Sequence, residues 1–197
     1  MKWMSAMLCL LLLSGCLGKP GPSEEYLRLG QAGPCQDAQP GERHGVALRK
    51  LRVVEALDRQ SVQLSEGRIL LPSQRYYWES APGRMAESAV AAALECSKSL
   101  TPVWPVRYDS AYAMGVTGVV ERFEVQTREM AFVAQAVFQA WDASGGRLLG
   151  SRSVFVSVPL GSLDAQAIAT AGAQGLERLG AEVRAWLEGL PPQGKGK

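Results

Sequence analysis

Histidine is almost missing from this chain: one in 197 residues. That residue, His44, stands among Glu42, Arg43 and Gly45 at the end of a Gly/Pro-rich stretch, where a solvated imidazole is expected and a catalytic base is not. Cysteine and histidine show no zinc-like spacing. No Gly-x-Ser-x-Gly elbow is present to present a nucleophilic serine. No Gly-x-x-x-x-Gly-Lys-Ser/Thr loop is present to cradle nucleotide phosphates. Glu24 and Glu25 are adjacent but lie in a segment too irregular to hold paired acid–base groups. Charge of one sign is also lacking. The balance of 21 basic against 19 acidic residues gives no electrostatic case for nucleic acid. These absences read as a protein that is not an enzyme and has no metal or dissociable cofactor.

Long apolar runs are scarce too. The longest block, residues 4–13, would rise only about 15 Å as a helix, half of a ~30 Å hydrocarbon core. Lys2 before it and small residues after it describe a secretory signal rather than a membrane span. The block ends in Leu13-Ser14-Gly15-Cys16, which resembles the bacterial lipobox. The resemblance implies a diacylglycerol thioether on Cys16, cleavage before it, and acylation of the freed amine. A thiol suits the step because its thiolate is a good nucleophile. One chain anchors only marginally, at about 0.8 kcal/mol per buried methylene, whereas two or three hold firmly. Leu17 follows the cysteine where an aspartate would signal inner-membrane retention, so by resemblance the destination is the outer membrane.

Removal of residues 1–15 leaves 182, enough for one domain with a core. Of four cysteines, Cys9 leaves with the signal and Cys16 carries lipid. Cys35 and Cys96 remain, in a compartment that permits disulfides. A bridge between them would contribute about 4 kcal/mol by chain entropy. The alternative is two unpaired, partly buried thiols.

Residues 16–44 read as a lipidated tether, rich in Gly, Pro, Gln and charge. At full stretch its roughly 28 residues would reach about 90 Å. Within it "EYLRLG" is an island that could dock as a short strand. Residues 45–190 form the folded domain and 191–197 a mobile tail. The alternation predicts a first strand over 46–54, then a hairpin turning at Gly67. Next comes a slender alanine-rich helix with Ser80 as N-cap and Pro82 in its first turn. Three antiparallel strands follow, over 111–125, 129–141 and 147–158, the first bulged near 118–121. Phe132, Ala134, Ala136 and Phe138 mark the core face of the second. A long helix, begun at Leu163 and Asp164, closes the domain before Pro191. The fold class is mixed α/β (α+β): a small, largely antiparallel sheet of four to five strands with helices on one or both faces.

Tyr76, Tyr77 and Trp78 are the candidate partner-binding residues. Three neighbouring aromatics before a helix either form a binding surface or plug the end of the core, as does Trp104 between its prolines.

The order of motifs carries a resemblance. A lipobox is followed by "EYLRLG", "YYWESAPGRM", "VWPVRY", "VVERFEV", "AWDASGGRLL" and a long carboxy-terminal helix. Over residues 26–190 this is similar to the ABC-type transport auxiliary lipoproteins, the PqiC-like family. The resemblance implies a non-enzymatic, lipid-anchored subunit on the periplasmic face of the outer membrane. Its implied partners are an MCE-domain protein and the permease and ATPase of an inner-membrane ABC transporter that moves lipids between membranes. A ring-shaped partner would favour a cyclic homo-oligomer. The competing reading is a lipoprotein that regulates cell-wall synthesis or assembles a secretion pore.

Overall fold

The computed structural model describes residues 23–30, 35, 43–107 and 109–190. The signal block, the lipobox with Cys16, and the tail 191–197 lie outside the described residues.

Nine strands and two helices follow one another in the described chain. A short strand β1 (Glu25–Leu27) precedes β2 (His44–Leu48) and β3 (Arg52–Val53), and a single 3₁₀ turn, Glu55–Leu57, leads to β4 (Ser61–Glu66). Then come β5 (Ile69–Trp78), helix α1 (Pro82–Glu95), β6 (Leu100–Val103), β7 (Met114–Gln126), β8 (Ala131–Asp142), β9 (Leu148–Pro159) and helix α2 (Ala165–Glu188).

Strand β7 is the spine of the sheet. On one side β8 pairs with it antiparallel from Met114↔Asp142 to Gln126↔Ala131, and β9 pairs antiparallel with β8. On the other side three short strands lie end to end, all parallel to β7: β2 against 114–116, β3 against 119–120 and β4 against 124–126. β6 flanks β2 in parallel, β5 flanks β4 antiparallel, and β1 adds to β5 in parallel. Both helices cover one face. Strand alternation puts Phe132 and Phe138 on the same side of β8. A Cβ on Gly175 of α2 would strike the Phe132 ring, and Phe138 shares a small cleft with Val90 of α1. The helices cross closely at Gly180, where a Cβ would stand 2.6 Å from the Ala89 carbonyl oxygen.

Several sequence expectations meet the structure directly. The fold is mixed α/β, but the sheet has nine strands rather than four to five. The expected strand over 46–54 breaks in two because the Leu51 N–H leaves the ladder and donates to Glu87 Oε1 at 2.8 Å. The β4–β5 hairpin turns at Gly67, whose φ of +61° suits a residue without Cβ. The bulge in β7 falls between Val120 and Arg122, inside the expected segment. Phe132, Ala134, Ala136 and Phe138 all face the core. The N-cap of α1 is Ala81, not Ser80, and contributes no side-chain hydrogen bond; Pro82 occupies the first turn as expected. Asp164 caps α2, accepting from the Ala167 N–H at 2.9 Å.

Candidate functional site

The amino-terminal edge is where the sequence concentrates its candidates. β1 lies beside the last three residues of β5, with Glu25↔Tyr76, Tyr26↔Tyr77 and Leu27↔Trp78 in register. Leu27 and Leu29 are buried. The Leu27 carbonyl accepts from the Glu79 N–H at 3.0 Å, and Glu79 Oε1 accepts from the Leu29 N–H at 2.9 Å. Arg75 grips Glu25 Oε1 through Nη2 at 2.6 Å and Nε at 2.7 Å. Two apolar anchors, a ladder and a charge-assisted contact thus fix eight residues of the 16–44 segment, 23–30, to the domain edge. Further along, Cys35 and Cys96 are joined as a disulfide, their Cα atoms 5.2 Å apart.

The aromatic trio does not act as one surface, because it sits on a strand and alternates. Trp78 is fully buried, edge-on to Phe123 and Phe132 with centroids 5.3 and 6.0 Å away. It is a core residue and leaves the set of exposed candidates. Tyr76 is half-buried, with the Arg75 guanidinium 5.1 Å from its ring centroid. Tyr77 points to the opposite face and stacks on Tyr26 at 5.4 Å with an interplanar angle of 27°. Desolvation, with the Glu24 carboxylate second, pushes the Tyr77 hydroxyl above its ordinary pKa. It stays neutral, with its hydroxyl hydrogen-bonded to the Glu24 carboxylate.

Trp104 belongs to a different cluster. Its Nε1 donates to Glu87 Oε2 at 3.4 Å, and the Arg84 guanidinium stands 5.6 Å from its ring. Glu87 is only 3 % exposed and was not among the sequence candidates. Its signal is an acidic residue on the alanine-rich inner face of a helix. Ile69 and Leu71 were also missed. They are 61 % and 58 % exposed and follow the Gly67 turn, on either side of Leu70, which packs against the core, so an unbroken apolar run hid which of its residues meet water.

His44 opens β2 and is exposed. Among the described residues no three His, Cys, Asp or Glu side chains group to hold a metal ion. A shallow cleft of about 330 Å³ lies at the start of α2 between Pro159, Leu160 and Thr170. Asp164 is the one titratable group lining it, and its carboxylate is already engaged by Ser162 and the Ala167 N–H. Among the described residues no helix is long and apolar enough to cross a membrane.

Solved structures share this architecture at low identity. The fold is similar to a crystal structure of a Xanthomonas campestris protein, with a TM-score of 0.69 at 19% identity over 82% of this chain and 94% of that one. A Chlamydia trachomatis hypothetical protein matches with a TM-score of 0.51 at 13% identity, over 75% of this chain and 97% of that one. These likenesses concern the fold. A search of curated proteins finds no match. The family model for the ABC-type transport auxiliary lipoprotein component matches residues 27–184, from β1 into the last turns of α2. The chain therefore belongs to the ABC-type transport auxiliary lipoprotein family.

Proposed function

We propose that this protein is a lipoprotein of the outer membrane, facing the periplasm, that serves as the non-enzymatic docking subunit of an MCE/ABC-type lipid transport system. Its membrane attachment is the diacylglycerol and N-acyl group on Cys16. The observation that carries the reading is the family match over residues 27–184, preceded by Leu13-Ser14-Gly15-Cys16. The geometry supports a fixed adaptor. The chain after Cys16 is strapped to the sheet edge at β1 and cross-linked again at Cys35, so the domain is held near its anchor rather than on a 28-residue leash. Such a part transmits position and needs no reactive group.

The test is a pull-down of the acylated chain from solubilised membranes, with mass spectrometry of its companions. An MCE-domain protein together with a permease or ATPase is the expected result. Recovery of a cell-wall synthase or a secretin instead, with no MCE protein, would overturn the proposal in favour of the competing lipoprotein role. Fractionation of Cys16→Ser tests the anchor separately: the variant should leave the membrane fraction, and full retention there would refute lipid attachment.

A further inference from the structure

The end of the sheet toward which β1 begins also exposes large apolar side chains. β1 runs parallel to β5, so its start points toward the β4–β5 hairpin tip. That tip carries Ile69 (61 % exposed) and Leu71 (58 % exposed) beside Arg68 and the Gly67 turn. The β7–β8 turn lies alongside it. Thr127 donates to the Ser65 carbonyl oxygen at 3.1 Å, and Arg128 Nη2 bonds Glu66 Oε1 at 3.0 Å. The Leu160 N–H in turn reaches the Met130 carbonyl oxygen at 2.6 Å, which brings the loop bearing Leu163, 40 % exposed, to the same end. Glu66 is paired with Arg128, and Arg68, Glu129 and Asp164 stand around the apolar side chains at this end.

We infer that this hairpin tip, with Ile69 and Leu71 at its centre, is a second membrane contact that seats in the interfacial layer of the bilayer beside the acylated cysteine. The inference rests on the lipid-anchor reading above and adds a surface to it. Chain length makes the case. Between Cys16 and Glu25 the backbone spans at most about 32 Å. From Tyr76, the partner of Glu25, to Ile69 the strand extends about 23 Å in the same direction. With the strands upright, the chain lets Cys16 reach no more than about 10 Å beyond Ile69, and any slack brings the tip level with the acyl groups. Among the described residues β1 covers β5 only at Tyr76–Trp78, so no other strand lies between the free edge of residues 69–75 and the anchor. An apolar tip held at that height gains by leaving water, and its exposure in the isolated domain is otherwise a cost.

The experiment uses the full acylated chain in vesicles of phosphatidylethanolamine and phosphatidylglycerol. A nitroxide is carried on Leu71→Cys or, at the opposite end of the sheet, on Leu148→Cys, itself 46 % exposed. Collisions with a water-soluble nickel chelate are compared with those in the unanchored Cys16→Ser background. The Leu71→Cys label should lose at least about fivefold in nickel access on vesicles while the Leu148→Cys label changes little. Equal access at both labels, with the protein still floating with the vesicles, would sink the hairpin contact and leave the lipid anchor intact. Failure of the wild-type chain to float would overturn the anchor and the hairpin contact together. As a second check, Ile69→Asp in the full acylated chain carrying the Leu71→Cys label should restore nickel access at least about threefold while the chain still floats with an unchanged far-UV spectrum. Unchanged nickel access would count against the contact.

Discussion

The two sides of β7 are built in opposite ways. Toward β8 and β9 the pairing is antiparallel, continuous over twelve residues of β8, and joined by tight turns. Toward β2, β3 and β4 it is parallel and broken into three, with partners that come from distant parts of the chain. The helices follow the division. α2 packs on β8 and β9 and carries a side-chain cap at Asp164, whereas α1 packs over the broken side and has none. A continuous antiparallel meander needs only short loop closures and its own alternation. The broken side must be held in register by side chains reaching across it.

The sharpest way to break this contrast is Trp78→Ala. Trp78 ends β5 on the broken side, yet its ring meets Phe123 of β7 and Phe132 of β8. It is the rivet between the two halves, and its loss should cost about 3–5 kcal/mol. Urea unfolding is expected to remain one transition, shifted as a whole. Two separated transitions would show that the halves fold as independent units. Next in size is Cys35→Ser. The cross-link to Cys96 spans a sequence separation of 61 that contains β2 to β5 and α1, nearly all of the broken side. Removing it should cost up to about 4 kcal/mol, measured against wild type under oxidising conditions. A cost near zero would mean that the broken side is fixed by packing alone.

The same contrast explains what could be read from the sequence. Phe132, Ala134, Ala136 and Phe138 alternate with two glutamines, and the shift in parity at Phe123 announces the β7 bulge. Those signals are local, because an antiparallel neighbour is only a turn away. The broken side has no such local record. "VALRKLRVV" reads as one strand, and its interruption at Leu51 involves a carboxylate 36 positions later, Glu87. Tyr76, Tyr77 and Trp78 look like a cluster in one dimension. Only the extension of β5 to Trp78 reveals that alternate rings go to opposite faces. The likeness of Leu13-Ser14-Gly15-Cys16 to a lipobox is a different kind of signal: a short contiguous motif that needs no tertiary structure. The hairpin tip was not legible, because exposure of Ile69 and Leu71 depends on where the helices stop covering the sheet.

Glu87 allows the contrast to be sharpened at one atom. Its Oε1 accepts from the Leu51 N–H exactly where β2 and β3 part, and both residues are buried. Glu87→Ala leaves that N–H without its acceptor and should cost about 1–3 kcal/mol. Glu87→Gln keeps an acceptor oxygen in place and should cost less than half as much. Hydrogen exchange at the Leu51 amide distinguishes them: fast in the alanine variant, protected in the glutamine variant. Equal exchange in both would show that packing, not the carboxylate, breaks the strand.

Acid should loosen the continuous side first. The Ser162 hydroxyl, and after it the Ala167 N–H, hold the Asp164 carboxyl below its ordinary pKa. The Ser144 hydroxyl does the same for Asp142 in the β8–β9 turn, helped by the N–H groups of Arg147, Gly146 and Gly145. A carboxyl with a lowered folded pKa stabilises the fold fully above its unfolded value, about 3.9, and that contribution is lost as pH falls through the folded value. Both groups lie on the continuous side. The first turn of α1 begins with Ala81 and Pro82 and has no titrating cap. Between pH 5 and pH 2, after correction for intrinsic rates, amide exchange should therefore rise first in the opening turn of α2 and in the β8–β9 turn. Asp164→Asn, which retains a capping oxygen without a proton to gain, should flatten the acid limb of stability for α2 while leaving neutral-pH stability nearly unchanged. If α1 loosened first instead, the acid sensitivity would reside in the broken side, and caps on α2 would not govern how the meander responds to pH.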